Sequence, residues 1–312
     1  MLRDEKGVRF VHMSEADAEE YLIHKNNYLR AASYRKNYAK HKVGPNIGKY
    51  INLDFAYMKE LSSLDMHFRA HLLPMCIDIE HALKVQTVLA VEANPAEDGY
   101  SICDEFLQAN PYILHRIEEK ADSIFTGELI EKYFNLCYVF DTSHTPVSSV
   151  RTRIHACDCP VWVLVEIIGF NSLIKFAQFY NQKYPNTIDI DLKILNPVRS
   201  LRNACAHNNC LLNNLRPQST RPPQTISKFI TGIPSVGKEE RKNKLSCRPL
   251  FEFACLMYLF ETVVSDSVRD RRMAELKKFV DNRLFAHADY FTDNQVISTS
   301  LNFIKKVVDN SQ

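Results

Sequence analysis

Seven apolar residues, Leu61, Leu64, Phe68, Leu72, Met75, Ile79 and Leu83, recur three or four positions apart. That period puts all of them on one side of a helix, whereas a strand would send alternate members to opposite faces. The stripe predicts one long amphipathic helix, capped by Asp54, with Pro74 as the place for a kink and an end before Asn94-Pro95. Its remaining positions, His67, Arg69, His71, His81 and Lys84, read as a solvated face, while Glu80 follows a core position and is expected to be partly buried. Glycine is scarce, 8 in 312 residues, which disfavours both β-rich folds and Gly-rich nucleotide loops. The fold class expected is all-α.

Other helices follow from the same signals. Ser14-Glu15-Ala16-Asp17 is a capping opening with acids in the first turn, and the helix behind it runs, with room for a break, to about Tyr38 with Tyr21, Leu22, Tyr28, Leu29 and Ala32 inward. Helices are expected over Ile102–Ala109, Ile113–Phe125 and Gly127–Val139, followed by a loop over Asp141–Ser149. Pro160 opens a helix that is apolar nearly all round and reaches Tyr184, a central core element carrying Trp162 and Glu166 four residues apart. A buried Glu166 would need a cation, with Arg199 or Arg202 as candidates, so Glu80, Trp162 and Glu166 are assigned supporting roles. Residues 216–248 carry Pro, Ser, Thr and basic side chains without a sustained period and read as a long loop with room for one short helix. Apolar and charged helices over Leu250–Val264, Asp266–Arg283 and Gln295–Val308 complete the chain. The organisation expected is a basic helical segment (1–53), a helical core (54–215), a basic insert (216–249) and packed C-terminal helices (250–312).

No run is long enough to span a membrane, and MLRDEKGVRF lacks the apolar core of a signal peptide, so a cytoplasmic protein without a membrane partner is expected. Nine cysteines in apolar contexts suit reduced, buried thiols. The nearest approach to a metal motif is His155-x-Cys157-x-Cys159, and no second pair completes it, so neither metal nor other cofactor is expected.

Chemistry concentrates in NPVRSLRNACAHNNCLLNNLR, residues 196–216. Asn196 can cap this helix and Pro197 suits its first turn. Val198, Leu201, Cys205 and Leu212 form a buried stripe, against which stand Arg202, Asn203, His207 and Asn208. Asn203 and His207 share a face, being four apart. Net charge is only +2, but Leu22 to Leu53 contains no acid, while Lys25, Arg30, Arg35, Lys36, Lys40 and Lys42 are interleaved with Tyr28, Tyr34, Tyr38 and Tyr50. Cations that neutralise phosphates and rings that stack on bases make an RNA-facing surface, with Asn208 and the basic Lys242 and Lys244 of the insert as further contacts. The same residues also suit a solvated helix whose tyrosines pack inward.

Arg202-Asn203-Ala204-Cys205-Ala206-His207 resembles the Arg-polar-x-x-x-His signature of HEPN ribonucleases. The wider order is similar to the Abi family (AbiD/AbiF-like) of bacterial abortive-infection proteins. It comprises Asn27-Tyr28-Leu29-Arg30, Ile77 to Leu83, Pro160 to Glu166 and Leu201 to Asn209, spanning about residues 14 to 215. Cys210 departs from the basic residue expected after the Asn-Asn pair. The resemblance implies a HEPN-like bundle and a toxin-like endoribonuclease that needs no metal. In it Arg202, Asn203 and His207 would be catalytic, at a composite site made by a homodimer. The alternative is an RNA-binding protein that holds a structured small non-coding RNA with little cleavage. Read without the resemblance, His207 and Arg202 also suit a purely structural role.

Overall fold

The computed structural model describes residues 2–139, 151–156, 158–218 and 221–311. In chain order the first helices are α1 (Glu15–His24), α2 (Tyr28–Ser33), α3 (Phe55–Glu92), α4 (Ser101–Ala109), α5 (Pro111–Glu118) and α6 (Gly127–Tyr133). Strands β1 (Phe134–Val139) and β2 (Arg151–Ala156) follow, then α7 (Val161–Ile167), α8 (Phe170–Lys183) and α9 (Leu195–Ala206). The last helices are α10 (Gln224–Thr231), α11 (Lys238–Leu245), α12 (Arg248–Val263), α13 (Asp266–Asn282) and α14 (Gln295–Asn310). The all-α reading holds for the body of the chain. Among the described residues its exception is the antiparallel β1–β2 ribbon, in which Phe134 faces Ala156 and Val139 faces Arg151. The helix expected over Gly127–Val139 therefore stops at Tyr133, where the β-favouring Phe-Asn-Leu-Cys-Tyr-Val run begins. The loop expected over Asp141–Ser149 lies outside the described residues.

The chain divides into two compact units, Met1–Ile79 with Pro197–Gln312, and Glu80–Asn196. The boundaries fall inside α3 and α9.

In the first unit, the Ser14 hydroxyl accepts from the Asp17 amide (3.1 Å) at the start of α1. The chain breaks at Lys25–Asn27, and the Asn27 side chain caps α2 by accepting from the Arg30 amide (2.8 Å). This break rotates the later face, so Leu29 is 80% exposed instead of inward. Asp54 caps α3, taking the Ala56 amide (3.0 Å). Every stripe residue of α3 is buried, and Pro74 lies within the continuous helix. The most deeply enclosed helix of this unit is α12, whose Leu250 to Met257 are all buried. Phe253 meets Phe68 with ring centroids 5.4 Å apart. Within 216–249 the described residues hold two short packed helices, α10 and α11, where a loop with room for one was expected. Ile226 and Ile230 of α10 and Leu245 of α11 are buried, and Lys306 of α14 pairs with Glu240 (2.7 Å). Each helix is only two turns long and polar over most of its surface, so no sustained period betrays it.

In the second unit, α7 and α8 are separate helices, broken at Ile168-Gly169. Phe106 and Phe176 pack edge to face at 5.0 Å, and the buried Tyr180 gives its hydroxyl proton to the Ala90 carbonyl (2.8 Å). Val161, Val163, Leu164, Val165 and Ile167 are buried, but Trp162 and Glu166 share the one outward side of α7. Glu166 is therefore exposed and pairs with Lys84 (2.8 Å). Trp162 packs edge-on against Tyr100 (5.9 Å), and Glu80 is half-buried as expected.

Candidate active site and nucleic-acid groove

Helix α9 starts at Leu195, one residue before the cap read from the sequence, so Asn196 and Pro197 both lie in its first turn. Val198, Leu201, Cys205 and the following Leu212 are buried, as the stripe requires. Burial pushes the Cys205 thiol up to about 12, leaving an unreactive packing residue. Asn203 and His207 are exposed and Arg202 is half-buried. Arg202 Nη1 donates to Asn203 Oδ1 at 3.4 Å. Between Asn203 and His207 the bond is a backbone one, His207 N–H to the Asn203 carbonyl at 2.9 Å.

His207 is the last residue before the chain turns off the helix. Asn208 adopts the left-handed conformation, φ 54°. Its amide bonds the Cys205 carbonyl (3.1 Å), and the Asn209 amide bonds the Ala204 carbonyl (2.8 Å). This pairing of bonds closes a helix and is usually built on glycine, with asparagine the next-best choice. Asn208, counted from the sequence as an RNA contact, thus has a structural task of its own.

Beyond the turn, the segment is held from below by α3. Asp65, fully buried, accepts from the Leu211 amide (3.1 Å), the Leu212 amide (3.4 Å) and the Tyr34 hydroxyl (2.7 Å). Arg69, one turn further on, pairs with Asp65 (3.1 Å) and donates to the Asn209 carbonyl (3.2 Å). Asn37 closes the tail, bonding the Leu212 carbonyl and the Leu215 amide, each at 2.8 Å. Burial pushes the Asp65 carboxyl up; the tyrosine hydroxyl, the guanidinium and the two amides oppose that shift. Arg69 is 4% exposed and not part of a solvated face. Arg248, one of the basic residues of the 216–248 segment, donates to Ser200 Oγ (2.7 Å) on the side of α9 that carries Asn203, a contact not foreseen from the sequence, and donates also to Glu252 (2.7 Å).

Asn208 also forms part of a groove of about 720 Å³. His24, Lys25, Arg30, Lys59 and Arg69 line it, together with neutral residues and no carboxylate. The structure therefore brings Lys25, Arg30 and Asn208 together at the open end of α9. The other basic residues lie elsewhere. Arg35 sits over the rings of Tyr28 (5.7 Å) and Tyr50 (5.8 Å), with Lys40 over Tyr50 (4.8 Å), while Lys36 and Lys42 are exposed. Tyr34 and Tyr38 are buried, so for these two the inward-packing alternative is correct. Lys242 is exposed and lines a depression of about 510 Å³ with Arg221 and Arg241. Lys244 is buried under α14, so the surface contact read from the sequence is corrected: its helix faces inward at that position.

Among the described residues no group of three or more His, Cys, Asp or Glu is arranged to hold a metal. The His155-x-Cys157-x-Cys159 string lies partly outside those residues, and its Cys159 is buried. No described helix is long and apolar enough to cross a membrane.

The model of one protein family, described as Abi-like protein, matches residues 21–213. That span contains the groove, the Asp65–Arg69 anchor and the whole of α9. No curated protein and no solved structure matches the chain. Since the family's match covers more than half of the sequence, the chain belongs to the Abi-like protein family.

Proposed function

We propose that this protein acts in abortive infection as an endoribonuclease that cleaves RNA by attack of a ribose 2′-hydroxyl on the adjacent phosphorus. Membership of the Abi-like family supports the abortive-infection role. The observation that carries the nuclease reading is the placement of His207 and Asn203, exposed beside Arg202 where α9 ends, next to a groove lined with cations and no carboxylate.

In this reaction the 2′-oxygen forms a bond to phosphorus as the bond to the 5′-oxygen breaks. The products carry a 2′,3′-cyclic phosphate and a 5′-hydroxyl. One imidazole takes the 2′-hydroxyl proton and another gives a proton to the leaving 5′-oxygen. The forked guanidinium of Arg202 suits the extra negative charge on the phosphorane. A single chain offers one His207, so the proposal includes a two-fold dimer in which each copy supplies one imidazole. Lys25 and Arg30 would hold the RNA backbone in the groove.

An RNase assay of the wild type and His207→Ala in EDTA tests this, with the product ends identified. Metal-independent cuts ending in 2′,3′-cyclic phosphate, absent from the variant, are the expected result. Uncut RNA with the wild type, or equal cutting by both proteins, would refute the nuclease reading.

The groove favours a second reading, in which the protein holds a structured RNA and cuts it rarely. RNA bound equally well by the wild type and His207→Ala, uncut by either, would select it. Its affinity should fall steeply with salt, by about 0.7 log units per log unit of salt for each single-strand phosphate neutralised. Lys25→Ala with Arg30→Ala should flatten that slope.

A further inference from the structure

Lys244 of α11 is a buried cation, at 8% exposure, on which the Glu240 carboxylate acts without forming a salt bridge. Its ammonium donates to Thr299 Oγ1 (2.6 Å) and Ser300 Oγ (3.0 Å) on α14. Among the described residues no carboxylate pairs with it. Glu240, one turn earlier on α11, is taken by Lys306 (2.7 Å). An ammonium has three protons to donate, and two of these are placed.

The two hydroxyls do not explain why a lysine is there. Thr299 already donates to the Gln295 carbonyl, and Ser300 donates to the Val296 carbonyl (2.6 Å). Both are satisfied within their own helix and only accept from Lys244. A methionine or leucine would fill the same space without the cost of desolvating a charge. Burial accordingly pushes the Lys244 ammonium down, towards its neutral form.

The lysine opens onto a cavity of about 570 Å³. Leu215, Pro217 and Val296 give this cavity apolar walls, and Lys306, Asn243 and Asn302 add polar groups. Two ammoniums and one carboxylate leave it one positive charge in excess. Its volume falls within the range of small-molecule sites, roughly 300 to 1,000 Å³.

We infer that this cavity binds a small organic anion, with a phosphate or carboxylate head on Lys244 and Lys306 and an apolar body against Leu215, Pro217 and Val296. The anion pairs directly with the buried ammonium, which no carboxylate among the described residues contacts, and accepts a hydrogen bond from its third N–H. The site is separate from the groove and does not depend on the nuclease reading.

Binding is measured on the full chain by calorimetry with phenyl phosphate, benzoate and uncharged benzyl alcohol. At least one of the two anions should bind, the alcohol should bind at least tenfold more weakly, and Lys244→Met should lose at least tenfold in affinity. Which anion binds more tightly identifies the head group. Amine acylation of the wild-type protein, mapped by mass spectrometry, keeps the test independent of whether the variant folds. The preferred anion should protect Lys244 at least fivefold. Neither anion binding at 10 mM, equal binding of the alcohol, unchanged affinity in a folded Lys244→Met, or unprotected Lys244 would overturn the assignment. So would protection by a ten-nucleotide RNA but by neither free anion, since the head group would then belong to the nucleic acid.

Discussion

Replacing Asp65 by alanine removes the acceptor on which the segment after His207 is built. Four donors converge on this carboxylate, namely the Tyr34 hydroxyl, Arg69 and the amides of Leu211 and Leu212. Breaking a buried ion pair from one side costs about 3–5 kcal/mol, because the partner charge is left uncompensated. Each orphaned buried amide costs about 1–3 kcal/mol where nothing replaces its acceptor. These terms overlap, because water entering the space left by the carboxylate would serve several donors at once. The working expectation is therefore a loss of about 4 kcal/mol, a large share of a typical stability of about 5–15 kcal/mol. Urea unfolding followed by far-ultraviolet circular dichroism measures it. Arg69→Met in the Asp65→Ala background should recover about 2 kcal/mol by removing the stranded guanidinium. A loss under about 1 kcal/mol for Asp65→Ala, or no recovery in the double variant, would show that the carboxylate does not anchor the tail.

Alkaline pH should weaken the fold through buried tyrosines. Burial raises the Tyr34 and Tyr38 hydroxyls above their usual value, so the folded state keeps protons that the unfolded chain releases above about pH 10. Their contribution is complete below that pH and falls by about 1.4 kcal/mol per unit for each tyrosine above it, until the folded value is reached. Urea unfolding between about pH 9 and 11.5 should show this, and Tyr38→Phe should make the slope shallower by up to about 1.4 kcal/mol per pH unit. For Asn208, glycine should be neutral and alanine should cost about 1 kcal/mol, since only the alanine is strained at φ 54°. Thermal melts distinguish the two, and equal losses for both would mean that the side chain, not the backbone, is what matters.

The helices were legible where a stripe was long. Leu61 to Leu83 and Val198 to Cys205 repeat often enough to fix which side is buried. Two-turn helices such as α10 and α11 carry too few apolar positions for that, and their basic side chains made a packed segment look like a loop. Periodicity also assigns a side without saying what lies against it. Asp65 and Arg69 fall close to the apolar stripe of α3, but nothing local reveals that they bond backbone groups about 145 positions away, two amides donating to Asp65 and one carbonyl accepting from Arg69. Glu166 goes the other way: a run that is apolar nearly all round leaves one outward side, and Trp162 and Glu166 share it.

These misses bear on the candidate site in one consistent way. Arg202, Asn203 and His207 are side chains on a single helix, so a local pattern suffices to find them. What holds the end of that helix in place is long-range: Tyr34 and Asn37 from the N-terminal segment, Asp65 and Arg69 from α3. Lys25 and Arg30 lie only a few residues before Tyr34 and Asn37, and the groove they line also contains Arg69. The basic segment is thus tied to the tail of α9 by the same residues that fix the turn at Asn208. Loosening Asp65 should disturb the groove and the position of His207 together, whereas removing the His207 imidazole should leave the groove in place. Stability and RNA affinity should consequently fall together in Asp65→Ala and stay near wild type in His207→Ala.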